Sequence, residues 1–144
     1  MKLEEIHDMW SQDCDVSIYN LSEEALKIPK MHNKYLRLFS DEKMMLKKMN
    51  YDLKQLVLIK YDYYRGVLPE EDLKEHGWEP VRIRILKSDI DKYLEADQDI
   101  IKTNLKISLQ QEKVDTLEAI IKSINNRGFL IKSAIDFEKF KVGG

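Results

Sequence analysis

The chain has 144 residues, of which 35% are charged, with five Gly, three Pro and a formal net charge of −2. That length allows one domain, or one domain with a small appendage, and a modest core, and the composition favours a soluble, mainly helical protein. No apolar run reaches membrane-spanning length, the acidic start Met1-Lys2-Leu3-Glu4-Glu5 lacks a signal-peptide apolar region, and a lone cysteine, Cys14, excludes an intrachain disulfide and fits a reducing, cytoplasmic setting. A thiol between Asp13 and Asp15 is expected to be unreactive.

The small net charge hides segregation. Residues 1–29 net −5, residues 30–66 net +5, residues 67–100 net −5 and residues 101–144 net +3. Positive charge is therefore placed on particular segments.

Leu3, Ile6, Met9 and Trp10 predict a short amphipathic helix, with Glu4 and Glu5 suited to its N-terminal end. Residues 13–21 read as a connector. Ser22 is a candidate N-cap, with Glu23 and Glu24 in the first turn. The helix that follows holds Ile28, Met31, Tyr35, Leu38 and Phe39 and contains Pro29, which is expected to kink or restart it. Through Ser40-Asp41-Glu42 the apolar period continues without Gly or Pro, so one helix is expected to run on to Gly66.

The stretch from Lys43 to Gly66 organises the chain. At roughly 100° per residue, Met45, Leu46, Met49, Leu53, Leu56, Val57, Tyr63 and Tyr64 share one apolar face. Lys43, Lys47, Lys54, Tyr61 and Arg65 fall in a stripe roughly 40° wide on another face. Such a stripe is either an ordinary solvated face or a phosphate track with a ring for base stacking. Lys60 projects onto the apolar face, where a lysine must snorkel, pair with an acid, or meet a wet cavity or a neighbouring subunit.

Residues 67–80 are turn-rich and acidic, with a helical turn expected at Glu70–Glu75. Val81-Arg82-Ile83-Arg84-Ile85 alternates strictly and reads as a lone strand or extended crossing, with Arg82 and Arg84 together on one side as further candidate phosphate contacts. Ser88 is a candidate N-cap for a helix over 89–95. From Asp97 to about Arg127 no Gly or Pro interrupts a long helix whose apolar stripe weakens between Gln110 and Lys113. Gly128 is placed as its C-cap. A final amphipathic segment carries Phe129, Ile131, Ala134, Ile135, Phe137 and Phe140, and the tail Val142-Gly143-Gly144 is expected to fray.

Signals for catalysis are poor. His7, His32 and His76 are far apart, and no Walker A, Gly-x-Gly-x-x-Gly or Gly-x-Ser-x-Gly pattern occurs. Asp89, Asp91, Asp97 and Asp99 lack calcium-loop spacing and are better explained as carboxylates at helix starts. No cofactor or metal is expected.

Several ordered motifs carry a resemblance: Lys60-x-Asp62-Tyr63-Tyr64-x-Gly66, Leu94-x-Ala96-Asp97-x-Asp99, Leu109-Gln110, and Arg127-Gly128-Phe129-x-Ile131-Lys132. From about Tyr19 to the C-terminus the chain resembles the UvsY family, recombination mediators of T-even-like bacteriophages. Residues 67–85 depart from the family pattern and residues 1–18 match weakly. The resemblance implies a non-enzymatic, single-stranded-DNA-binding protein acting in the cytoplasm of an infected bacterial host, in homologous recombination, repair and recombination-dependent replication. It also implies a homo-oligomeric ring, hexameric or heptameric, and two protein partners: a RecA-like recombinase and the phage single-stranded DNA-binding protein. The family's basic position before Asp-Tyr-Tyr corresponds to Lys60 as a DNA contact. A second basic position, two residues earlier, is Leu58 here.

The expected architecture is thus mainly all-α, with one long C-terminal helix and a short extended segment at 81–85. Residues 1–127 form a DNA-binding body, with 67–86 as an insertion, and residues 128–144 an oligomerisation segment presenting Phe129, Ile131, Ile135, Phe137 and Phe140. The candidate DNA contacts are Lys43, Lys47, Lys54, Lys60, Tyr61, Tyr64, Arg65, Arg82 and Arg84. The competing reading is a helical, oligomeric protein-interaction adaptor whose lysines only face solvent; a small enzyme with an unrecognised site is a more distant third.

Overall fold

The computed structural model describes residues 1–143. Five α-helices occur among them: α1 (Leu3–Asp13), α2 (Leu21–Tyr64), α3 (Glu70–His76), α4 (Ile90–Glu95) and α5 (Gln98–Lys141), with a 3-10 turn at Lys87–Asp89. Two of these, α2 and α5, are 44 residues each. The chain divides into two compact units, one formed by Met1–Met45 and the chain from Gln110 onward, the other by Leu46–Leu109.

The first unit packs α1 with the N-terminal part of α2 and the C-terminal part of α5. Ile6, Tyr35, Leu117, Ile120 and Ile124 form its buried centre, with Trp10, Ile28, Met31, Leu38 and Phe39 against it. Trp10 meets the Tyr35 ring edge-on, centroids 5.5 Å apart, a favoured aromatic geometry. The buried Tyr35 hydroxyl donates to the Asp13 carboxylate at 2.8 Å, and the Lys34 ammonium reaches the same oxygen at 2.7 Å. Burial raises the Asp13 pKa, but these two donors, with Arg127 nearby, outweigh it and hold the carboxyl below its ordinary value. At the end of α1 the backbone is secured by Arg127, a buried guanidinium that donates to the carbonyls of Asp13 and Asp15, each at 2.7 Å, and lies 3.5 Å from the Glu24 carboxylate. Its Nε alone lacks a partner.

Helix α2 passes through Pro29 without restarting, so of the two expected outcomes, a kink or a restart, the restart does not occur. Pro29 is exposed, so water can satisfy the carbonyl it leaves without a helical partner. Helix α1 runs to Asp13, beyond Trp10, and α2 starts at Leu21 with the Asn20 carbonyl accepting from Glu24 N–H, which puts Ser22 inside the first turn. The expected continuation through Ser40–Glu42 is observed.

Helix α5 likewise does not stop at Gly128. A glycine inside a helix costs about 1 kcal/mol relative to alanine. Here the stripe of Ile124, Arg127 and Ile131, all buried, carries the helix across it. The weakening at Gln110 is also local: its side-chain amide is buried and donates to the Glu42 carbonyl at 2.9 Å and carboxylate at 2.6 Å. A polar residue in the stripe is thus a satisfied internal contact.

In the second unit, α3 forms at the expected place and ends at Gly77, whose φ of 71° is the left-handed conformation glycine adopts without strain. Gly66 plays the same part after α2, with φ 75°. Residues 81–85 are not a strand; they run irregularly with a bend at Ile83, and no strand occurs among the described residues. A single strand has no neighbour to take its backbone groups, so the alternation is realised only in part. Val81 and Ile85 are half-buried while Arg82, Ile83 and Arg84 are exposed. Ser88 lies within the 3-10 turn, and Asp89 is the residue that precedes α4. Val142 and Gly143 follow α5 in a turn; Gly144 lies outside the described residues.

Candidate nucleic-acid interface

Helical geometry places Lys60 on the apolar side of α2, and the structure seals it there. It is 4% exposed, and its ammonium lies 3.1 Å from Asp97 and 2.8 Å from Asp99. The Trp78 ring covers it, with the centroid 3.8 Å from Nζ, and Tyr63 stands at 5.3 Å. Trp78 is itself held by stacking on His76 at 4.3 Å and by Tyr63 at 5.3 Å. Within the protomer, the lysine that the family resemblance marks as a DNA contact is thus paired and sealed, and no face of its ammonium is left for a phosphate. The physical reason is that Asp97 and Asp99 supply the counter-charge a buried ammonium needs, and the tryptophan excludes water.

The same network fixes Tyr64. Its hydroxyl donates to Asp97, whose other oxygen accepts from the Ile100 N–H at 3.0 Å at the start of α5. Burial and this hydrogen bond raise the Tyr64 pKa above its ordinary value near 10. Burial raises the Asp97 pKa too, but donation from Tyr64, Ile100 and Lys60 outweighs it and holds the carboxyl below its ordinary 3.8.

Both shifts have a sign for stability. Asp97, with a depressed folded pKa, stabilises the second unit fully above about pH 4, and that contribution is lost as pH falls through its folded value. Tyr64, with a raised folded pKa, contributes fully below about pH 10 and less as pH rises beyond it. Urea midpoints followed by Trp78 emission in a Trp10→Phe background are expected to fall on both limbs. In Asp97→Asn the acid limb flattens; an unchanged acid limb in that variant would show that Asp97 is not the titrating group.

The outer stripe is disposed differently. Lys47, Lys54 and Arg65 are exposed in the second unit, and Lys43 is exposed in the first. Lys43, Lys47 and Lys54 form no ion pair among the described residues, whereas Arg65 lies 3.5 Å from Asp62. Three of these cations sit by rings: Lys43 by Phe39 at 5.4 Å, Lys54 by Tyr51 at 5.5 Å and Arg65 by Tyr61 at 5.6 Å. Leu58 projects about 20° beyond the edge of this stripe and is 65% exposed. Of the two positions that the family resemblance marks as basic, the one occupied by leucine faces outward and the one occupied by lysine is enclosed. Arg84 is exposed and lines a pocket with Tyr61, Tyr64 and Arg65; Arg82 is exposed but outside that pocket.

Sequence reasoning missed Trp78 and the partners of Lys60. Asp97 and Asp99 were visible as helix-start carboxylates, but nothing local ties them to a lysine more than thirty positions away. The one available signal was a tryptophan in an otherwise acidic, turn-rich segment.

The C-terminal residues also divide. Phe129, Phe137 and Phe140 are exposed at 73%, 57% and 79%, and Ile135 is half-buried. Ile131 is 3% exposed and already part of the protomer's interior, which corrects its assignment to an intersubunit surface.

Fold and face together define an all-helical protein built on two long helices, with an exposed basic and aromatic face along part of α2. The sequence pattern of the family described as "Recombination, repair and ssDNA binding protein UvsY" matches residues 9–144, and the chain belongs to that family. It is 25% identical to the recombination protein uvsY of Enterobacteria phage T4 over 143 residues, covering 99% of each chain. Two crystal forms of the bacteriophage T4 recombination mediator protein UvsY superpose with a TM-score of 0.84 each, at 23% and 24% identity. One match covers 97% of this chain and 99% of the T4 chain; the other covers 99% and 98%. These superpositions show a shared fold. No helix among the described residues is long and apolar enough to cross a membrane.

Proposed function

We propose that this protein is a single-stranded-DNA-binding recombination mediator that loads a RecA-like recombinase onto DNA coated by the phage single-stranded DNA-binding protein, in the cytoplasm of the infected host. The observation that carries the reading is the pair of exposed ammonium groups Lys47 and Lys54, unpaired among the described residues, with the Tyr51 ring by Lys54 and the Tyr61 ring by Arg65 further along the same helix. Cations that track a phosphate backbone, interleaved with rings that stack bases, are what sequence-tolerant single-strand binding requires. Family membership over nearly the whole chain supports the same reading. The role is binding and exchange of partners, without a catalytic step of its own.

Lys47, Lys54 and Arg65 form the phosphate contacts of the second unit, and Lys43 is a separate contact from the first. Lys60 holds the second unit together rather than touching the strand. The exposed Phe129, Phe137 and Phe140 favour assembly of α5 ends into a ring, hexameric or heptameric, that repeats a weak site around its circumference. Avidity then turns modest local affinity into tight binding. Wrapping of the strand loosens the coating protein and presents DNA to the recombinase.

Sedimentation of the protein alone and with labelled single-stranded DNA, across a salt series, tests assembly and binding together. Affinity is expected to fall steeply with salt, and Lys47→Ala/Lys54→Ala is expected to lower the slope by about 1.4, or roughly 0.7 per phosphate contact. Leu58→Lys is expected to raise it by about 0.7. A salt-independent response, or no binding at low salt, would leave the adaptor reading in place of this one.

A further inference from the structure

The second unit contains a half-open pocket of about 450 Å³, bounded by the end of α2, the turn after it and residues 83–90. That volume is in the range of small-ligand sites. Ile90, 2% exposed, is among its apolar lining, and Tyr61 and Tyr64 contribute ring surface. Arg65, Arg84 and Lys87 supply three cations. Arg84 and Lys87 form no ion pair among the described residues, and only Arg65 is partly balanced, by Asp62 at 3.5 Å. Tyr64 is held in place by its hydroxyl bond to Asp97 and by the Tyr93 ring at 5.6 Å, so its contribution to the wall is preformed.

We propose that this pocket receives one nucleotide of a bound strand, with its base against Tyr61 and Tyr64 and its phosphate on Arg84 and Lys87. The inference rests on the single-stranded DNA binding proposed above and adds to it a fixed point where a base is withdrawn from solvent. Every base has a π-face, so rings beside cations capture a nucleotide without selecting its sequence. An acidic peptide would use the cations but leave the ring surfaces without a matching partner, so a nucleotide uses more of what the pocket offers.

The test compares binding of an intact oligonucleotide with binding of an abasic one of equal length and phosphate number. Wild type is expected to prefer the intact strand at least fivefold, the lower end of base–aromatic stacking effects. Tyr61→Ala is expected to reduce that preference. Arg84→Ala/Lys87→Ala is expected to lower the salt slope by about 1.4, with an unchanged circular dichroism spectrum because both side chains are exposed. If Arg84→Ala/Lys87→Ala binds as wild type while Lys47→Ala/Lys54→Ala loses affinity, the pocket is overturned and strand binding stands. If wild type does not bind the oligonucleotide at low salt, both are overturned. Loss of binding to an oligoglutamate peptide, with DNA binding unaffected in the Arg84→Ala/Lys87→Ala variant, would reassign the pocket to a protein partner and overturn the nucleotide.

Discussion

Lys60→Ala is expected to destabilise the second unit by about 3–5 kcal/mol, the usual cost of removing one partner of a buried ion pair. The variant leaves Asp97 buried with only the Tyr64 hydroxyl and the Ile100 N–H as donors, and it removes the cation beneath Trp78. Asp97 then takes up a proton more readily, so the acid limb of stability moves to higher pH. Urea unfolding followed by Trp78 emission in a Trp10→Phe background reads the change, with a lower midpoint and an unchanged m-value. DNA affinity is also expected to fall in this variant, because Tyr64 and the end of α2 lose their anchor. The salt dependence separates the two roles open to Lys60. Deleting an ammonium that binds phosphate lowers the slope by about 0.7 per subunit site; deleting a structural anchor lowers affinity at unchanged slope wherever the folded fraction is the cause. A Lys60→Ala protein of wild-type stability with a reduced slope would return Lys60 to the DNA-binding residues.

Arg127→Ala is expected to cost the first unit a similar amount, about 3–5 kcal/mol. The guanidinium reaches two backbone carbonyls, those of Asp13 and Asp15, and the Glu24 carboxylate, and it is 4% exposed. Alanine strands both carbonyls, leaves Glu24 with Lys27 alone at 3.5 Å, and opens a cavity beside Met31, whose sulfur lies 3.1 Å from Nη1. Lysine keeps the charge but replaces a rigid fork by a single ammonium, which cannot meet both carbonyls in the same geometry. Arg127→Lys is therefore expected to recover less than half of the loss. Trp10 emission in a Trp78→Phe background reports on this unit, since Trp10 packs against Tyr35 in its core. Equal stability of wild type and Arg127→Ala would show that the connector after α1 is secured by Lys34 and Tyr35 on Asp13 alone.

These two residues also show where reading the chain alone succeeds and where it stops. Periodicity placed the long helices, because an apolar stripe at helical spacing is a local property. It carried α2 through Ser40–Glu42 and placed Gly66 at its end, and it put Lys60 on the inward side. Local chemistry misjudged Gly128, a helix breaker by propensity, because packing of the buried stripe on either side outweighs a propensity of about 1 kcal/mol. The alternation at 81–85 was a true pattern without a partner strand, so it could not become a sheet.

What the sequence determined by itself is the helical class, the segregation of charge, the outward stripe of Lys47, Lys54, Tyr61 and Arg65, and the family, through the ordered motifs from Lys60 to Lys132. Only the tertiary structure decided which cations are available. Asp97 and Trp78 come to Lys60 from distant positions in the chain and consume its charge, while no carboxylate among the described residues pairs with Lys47 or Lys54. Availability depends on which groups the fold brings within a few ångströms, and that is a property of the packed chain, with no local signature in the order of its residues.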